Sequence, residues 1–155
     1  MINNRDTGNK NYVTIPDNKE LVIENILPLS DKVGSTYTKS NEKANIYYRF
    51  KVVSNNKNKV NYKILLTTKT GEQFIKDEYI KITLSDSNDK ILKKYDSDSF
   101  MFLNGLDKYN KSYVLDTNTL KNKGSREYIL RMWVSDVTTY DDNLIFDGKL
   151  SVYSY

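Results

Sequence analysis

Along Ala44–Ser54 the apolar side chains Ile46, Tyr48, Phe50 and Val52 alternate with Tyr47, Arg49 and Lys51, and the same period of two returns in Val60, Tyr62, Ile64 and Leu66 within Lys59–Thr67. Successive side chains of a strand point to opposite faces, so this pattern suits a half-buried strand and no helix. Nowhere does the chain carry a long, clean period of 3.6. Alanine, the best helix former, occurs once, at Ala44. The polar stretch Asn55–Asn58 between the two runs predicts an antiparallel hairpin.

Thr, Val, Ile, Tyr and Phe are abundant elsewhere, and clusters of Asn, Asp, Ser and Gly punctuate them. Further strands are expected at Asn11–Ile15, Leu21–Leu27, Tyr79–Leu84, Tyr113–Leu115, Arg126–Val134 and Lys149–Tyr153. Short helical pieces are expected at Phe100–Leu106 and at Glu72–Lys76, the latter with a strand as the alternative. Pro16 and Pro28 fall just after strand candidates, where a missing amide does no damage. Many short strands with turns between them imply two packed sheets. The expected fold is all-β, an antiparallel β-sandwich with jelly-roll or Greek-key connections and at most short helical segments. The 155 residues suit one domain, with residues 1–16 as an N-terminal arm or first strand. Its core is expected to bring Tyr48, Phe50, Ile64, Leu66, Leu130 and Met132 face to face. Trp133 falls on the other face of its strand, with Ile129 and Arg131.

Composition excludes whole classes of chemistry. The chain has no Cys and no His. Thiol nucleophiles, disulfides, Cys/His zinc sites and His-based triads are therefore ruled out. The carboxylates of Asp86, Asp89, Asp96, Asp98, Asp136, Asp141 and Asp142 lie in turns, where Asp favours its own backbone amides, and not on facing rigid elements. Neither an enzyme nor a cofactor is expected. The oxygen-rich stretches Asp86–Asp89 and Asp96–Ser99 lack the spacing, glycine and closing Glu of an EF-hand. Asp136, Asp141 and Asp142 remain as calcium candidates at a loop tip.

The net charge of +4 comes from scattered lysines and only four arginines, which is not the basic stripe that nucleic acid requires. Purely apolar runs are a few residues long, far short of the ~18 that span a bilayer. Residues 1–11 contain no apolar targeting core. Two expectations stay open: a cytoplasmic chain, or the exported part of a protein whose leader is not in this sequence. Thirteen tyrosines and Trp133 also suit a sugar-binding platform, since flat rings stack on pyranose faces. An exposed Trp133 would favour this ligand reading, and a buried one would end it.

The order of several segments is distinctive. Leu27-Pro28-Leu29-Ser30-Asp31-Lys32-Val33-Gly34 precedes the Tyr47–Ser54 strand, Val60-Asn61-Tyr62-Lys63-Ile64 and Tyr79-Ile80-Lys81. Then come Tyr113-Val114-Leu115, Thr119-Leu120, Tyr128-Ile129-Leu130-Arg131-Met132-Trp133-Val134 and Phe146-Asp147-Gly148-Lys149-Leu150-Ser151-Val152. Over roughly residues 20–153 this resembles the exported domain of small single-anchor surface proteins of low-GC Gram-positive bacteria. It is similar in pattern to the TasA/camelysin group of biofilm-matrix fibre proteins. The resemblance implies a jelly-roll sandwich outside the cell, displayed or assembled into fibres, whose N-terminal segment can be a donor strand to the next subunit. Asn11, Tyr12, Val13, Thr14 and Ile15 are then the candidate assembly strand, with a place in their own sheet as the alternative. The chain departs from that group in having no N-terminal apolar anchor. With no His, the metallopeptidase label of camelysin relatives is not carried over.

The expected function is a non-catalytic structural or adhesive domain at the cell surface, partnered by other copies of itself or by surface proteins. The alternatives are a virion decoration or fibre protein, partnered by virion proteins, and a carbohydrate-binding module.

Overall fold

The computed structural model describes residues 12–88, 90, 100–137 and 144–155. Among them the elements run β1 (Val13–Thr14), β2 (Glu20–Ile23), α1 (Asp31–Gly34), β3 (Asn45–Ser54), β4 (Val60–Thr68), β5 (Ile80–Asp86), β6 (Met101–Phe102), β7 (Lys108–Tyr109), β8 (Ser112–Leu120), β9 (Ser125–Val134) and β10 (Phe146–Ser154). The strands form two five-stranded antiparallel sheets, in the orders β1-β3-β9-β5-β6 and β2-β10-β4-β8-β7. The sheets pack as a sandwich, and the expected all-β fold is the observed one.

The period of two explains the packing. Phe50 and Val52 of β3, Tyr128, Leu130 and Met132 of β9, and Ile82 and Leu84 of β5 point inward from the first sheet. They meet Tyr62, Ile64 and Leu66 of β4, Tyr113 and Leu115 of β8, and Leu150 of β10 from the second. Tyr48 joins this core as a half-buried residue, stacked on Phe50. β4 and β8 slip register between Ile64 and Leu65, because Ile64 opposes Asp116 while Leu65 opposes Val114. Leu115 is the extra residue of a bulge there.

The expected β3–β4 hairpin is not formed. β3 lies in the first sheet and β4 in the second, so Asn55–Lys59 is an arch between sheets. A hairpin would set both apolar faces on one side of one sheet, whereas the arch sets them against each other across the core. A second arch, from β8 to β9, runs beside the first and is bonded to it: Asn122 donates to the Lys57 carbonyl at 2.9 Å and Lys123 to that of Asn56 at 2.8 Å. Asn122 and Lys123 are both left-handed there, with φ of 56° and 55°. The expected helix at Glu72–Lys76 is instead a turn followed by an isolated bridge from Phe74 to Ile145. Phe100–Leu106 is helical only in its 3₁₀ turn Leu103–Gly105, after the two-residue β6. α1 was not expected from the sequence; Ser30 caps it, its Oγ accepting from Val33 N at 3.3 Å.

Candidate functional site

Three surfaces are candidates, and the outer face of the first sheet is the most altered from expectation. Tyr128–Val134 is buried on both faces. The chain between Leu27 and Ala44 crosses this face as a strap, pinned where Leu29 N donates to the Val134 carbonyl at 3.0 Å. α1 seats Gly34 directly on the Trp133 indole, where any Cβ would overlap the ring. Arg131 donates through Nε to the Tyr37 carbonyl at 2.6 Å and lies over the Tyr47 ring. Lys81 Nζ donates to both oxygens of Asp31, at 2.9 and 2.8 Å, beneath the rings of Phe100 and Phe102. Trp133 Nε1 donates to Asp31 Oδ1 at 3.2 Å. Trp133 is fully buried and therefore unavailable as a sugar platform.

The exposed aromatic surface lies on the second sheet. Tyr153 of β10 stacks on Tyr109 at 5.1 Å and on Tyr155 at 5.9 Å, the last two of β10's neighbourhood being 39% and 54% exposed for Tyr153 and Tyr155. Lys63 of β4 opposes Tyr153 in register and places Nζ 4.4 Å from the centroid of Tyr155 and 5.9 Å from that of Tyr109. Its ammonium donates to the Tyr155 hydroxyl at 3.3 Å, and among the described residues it makes no ion pair with a carboxylate. An ammonium held among tyrosine rings can meet an anionic group beside a flat apolar surface.

The third surface is a sheet edge. β1 pairs with its own chain, Val13 opposite Ser54 and Thr14 opposite Val53, and Asn55 N donates to the Tyr12 carbonyl at 2.9 Å. Val13 and Ile15 are buried while Tyr12 is turned outward. Asn11 lies outside the described residues. Pro16 and a left-handed Asp17, φ 54°, then turn the chain away, so β1 covers only the last two residues of β3. By the two-residue alternation of a ladder, the amides and carbonyls of Tyr47, Arg49 and Lys51 face this same side, with no strand beside them among the described residues.

The carboxylates are placed as follows. Asp86 Oδ1 accepts from the backbone of Asn88 and of Lys90, both at 2.9 Å, so this turn consumes its own acid. Asp136 is exposed, and Asp141 and Asp142 lie outside the described residues, as do Asp89, Asp96 and Asp98. Among the described residues no three acidic side chains gather in a metal-holding group.

Two polar clusters escaped sequence reading. Lys69 Nζ bridges Asp147 at 2.8 Å and Glu20 at 3.0 Å, beside a groove of about 640 Å³ lined by Asn18, Thr67 and Lys149. Burial raises the Asp147 carboxyl above its ordinary range, while bonding to Asp147 and Lys69 lowers Glu20. In the core, the Tyr62 and Tyr128 hydroxyls meet at 2.7 Å, Tyr128 donates to Asp116 Oδ2 at 2.6 Å, and Arg126 donates to the Tyr62 hydroxyl at 3.0 Å. Burial pushes both tyrosines above their ordinary pKa. The signal for the second cluster was present, since Tyr62 and Tyr128 both fall on inward positions of alternating strands, but their partners depend on how the sheets stack.

No family model, no curated protein and no solved structure matches this chain. Among the described residues, no helix is long and apolar enough to cross a membrane.

Proposed function

We propose that this chain is a non-catalytic structural or adhesive domain of the cell surface, which joins other copies of itself by exchanging β1, the β1 of one copy pairing along β3 of the next. One observation carries the reading: β1 leaves the Tyr47–Lys51 edge of β3 without a strand partner among the described residues, while β1 itself holds its sheet by only two residues. Main-chain groups on such an edge are a template for another chain, and a two-residue strand is weakly held. The charged side chains of Arg49 and Lys51 favour a matching strand over indiscriminate pairing.

Thr14→Cys with Val53→Cys tests the reading in a chain that has no other cysteine. Antiparallel partners sit about 4.5–5.5 Å apart at Cα, within the reach of a disulfide. Strand exchange between copies gives disulfide-linked oligomers that increase with protein concentration. A monomer closed on itself at every concentration would refute exchange through β1.

Burial of Trp133 ends the sugar platform expected there; the Tyr109–Tyr153–Tyr155 patch, a separate surface, favours a second reading, an acidic-carbohydrate module. Lys63 would receive the carboxylate while Tyr153 or Tyr155 receives the sugar face. Calorimetry with uronic-acid oligosaccharides checks it: binding that disappears in Tyr155→Ala and Lys63→Ala supports the module, and no heat at millimolar ligand refutes it.

A further inference from the structure

The Asp31–Lys81 pair goes beyond the needs of an ordinary surface ion pair. Lys81 is on the outer face of β5, paired in register with Phe102 of β6 on one side and Trp133 of β9 on the other. Its side chain is only 9% exposed, and its Nζ lies 4.9 and 4.7 Å from the ring centroids of Phe100 and Phe102. Both Asp31 oxygens are within 2.9 Å of that nitrogen. The carboxyl is fixed from its other side as well: α1 is capped by Ser30, seated on Trp133 by Gly34, and Trp133 Nε1 donates to Oδ1.

We propose that Lys81 and Asp31 condense to an intramolecular amide, which staples the strap to the first sheet. The balance is complete within the pair. The ammonium passes one proton to Oδ2, and the freed amine attacks the carboxyl carbon. The C–N bond forms, the C–Oδ2 bond breaks, and Oδ2 departs as water with that proton and a second one from the nitrogen. No oxidation occurs and no co-reactant is consumed. The Trp133 indole N–H supports the charge developing on Oδ1, the oxygen that becomes the amide carbonyl. The held pair supplies the high effective concentration that such a condensation needs, and the amine turns out of the carboxylate plane to reach the carbon. The rings shield the amine, while the Asp31 side chain, 33% exposed, leaves the water an exit. This proposal does not depend on the surface role or on strand exchange.

Intact mass spectrometry of the purified, denatured chain is the test, followed by peptide mapping. The expected mass is lower than the sequence mass by one water, with a branched peptide joining the segments that hold residues 31 and 81. Lys81→Arg, which keeps the charge but cannot form this amide, should recover the full mass for its sequence. Full mass in the unaltered chain, before and after prolonged incubation, would overturn the proposal and leave an ion pair alone. A water loss mapping to Asp147-Gly148 as a linear succinimide would overturn it too.

Discussion

Gly34→Ala tests the covered face of the first sheet directly. Gly34 ends α1 with no left-handed φ, so by helix propensity alone alanine should stabilise the chain by about 0.5–1 kcal/mol. Packing reverses the sign, because the new methyl group meets Trp133 Cε2 at 2.6 Å and overlaps the neighbouring ring atoms. Overpacking of this kind costs about 1–3 kcal/mol when the ring can shift. If α1 lifts instead, an ion-paired Asp31 is withdrawn from the buried Lys81, which costs about 3–5 kcal/mol, and the proposed amide would forbid the lift altogether. The chain takes the cheaper route, and the expected net loss is about 1–2 kcal/mol. In a domain of this length that lowers the melting temperature by roughly 2–8 °C. Trp133 is the one tryptophan, so its fluorescence reports the same site as the urea titration. An unchanged or higher urea midpoint, with unchanged emission, would refute the seating of α1 on the indole.

Leu130→Ala, at the fully buried centre of β9 between Tyr48 and Leu84, should cost about 2–5 kcal/mol by urea unfolding; a loss below about 0.5 kcal/mol would place it outside the core. Tyr128→Phe removes the donor to Asp116 Oδ2 and should cost about 1–3 kcal/mol, read in the same way. Burial raises Tyr62 and Tyr128 above the ordinary value of 10.0, so their contribution is fully present below pH 10 and is lost as pH rises beyond it, because only the unfolded chain ionises readily there. Urea midpoints should therefore fall above pH 10, and the fall should be shallower in Tyr128→Phe.

The alternation in β3 and β4 made the inward residues legible because a period of two distinguishes the faces of a strand without knowledge of its neighbours. Phe50, Val52, Tyr62, Ile64 and Leu66 are buried as that period requires. Which sheet each strand joins was not legible. The Asn55–Lys59 connection lacks the two-residue Asn-Gly type of turn that commits a hairpin, and its conformation is set by hydrogen bonds to Asn122 and Lys123, far along the chain. β8 runs on to Leu120, beyond the expected Tyr113–Leu115, through Asp116 and Asn118, types depleted in strands; Asp116 is buried against the Tyr128 hydroxyl. A polar residue that finds its partner across the core is invisible to local propensity.

The same limit governs the candidate site. Strand alternation places Arg131 on the face opposite the expected core, together with Trp133, the ligand candidate, and leaves open what covers that face. The strap supplies what the sequence window could not show: a carbonyl for Arg131, a carboxylate for Lys81 and a glycine small enough to lie against Trp133. Covering this face turns two layers locally into three and takes Trp133 out of contact with partners. Among the described residues two of the candidate surfaces remain open, the Tyr109–Tyr153–Tyr155 patch on the second sheet and the Tyr47–Lys51 edge of the first. They differ in chemistry, since the patch offers side chains and one cation while the edge offers backbone donors and acceptors. A Lys63→Ala change should therefore leave strand exchange intact, and the Thr14–Val53 disulfide should leave the patch unaltered. If either perturbation abolished both activities, the two surfaces would not be acting separately.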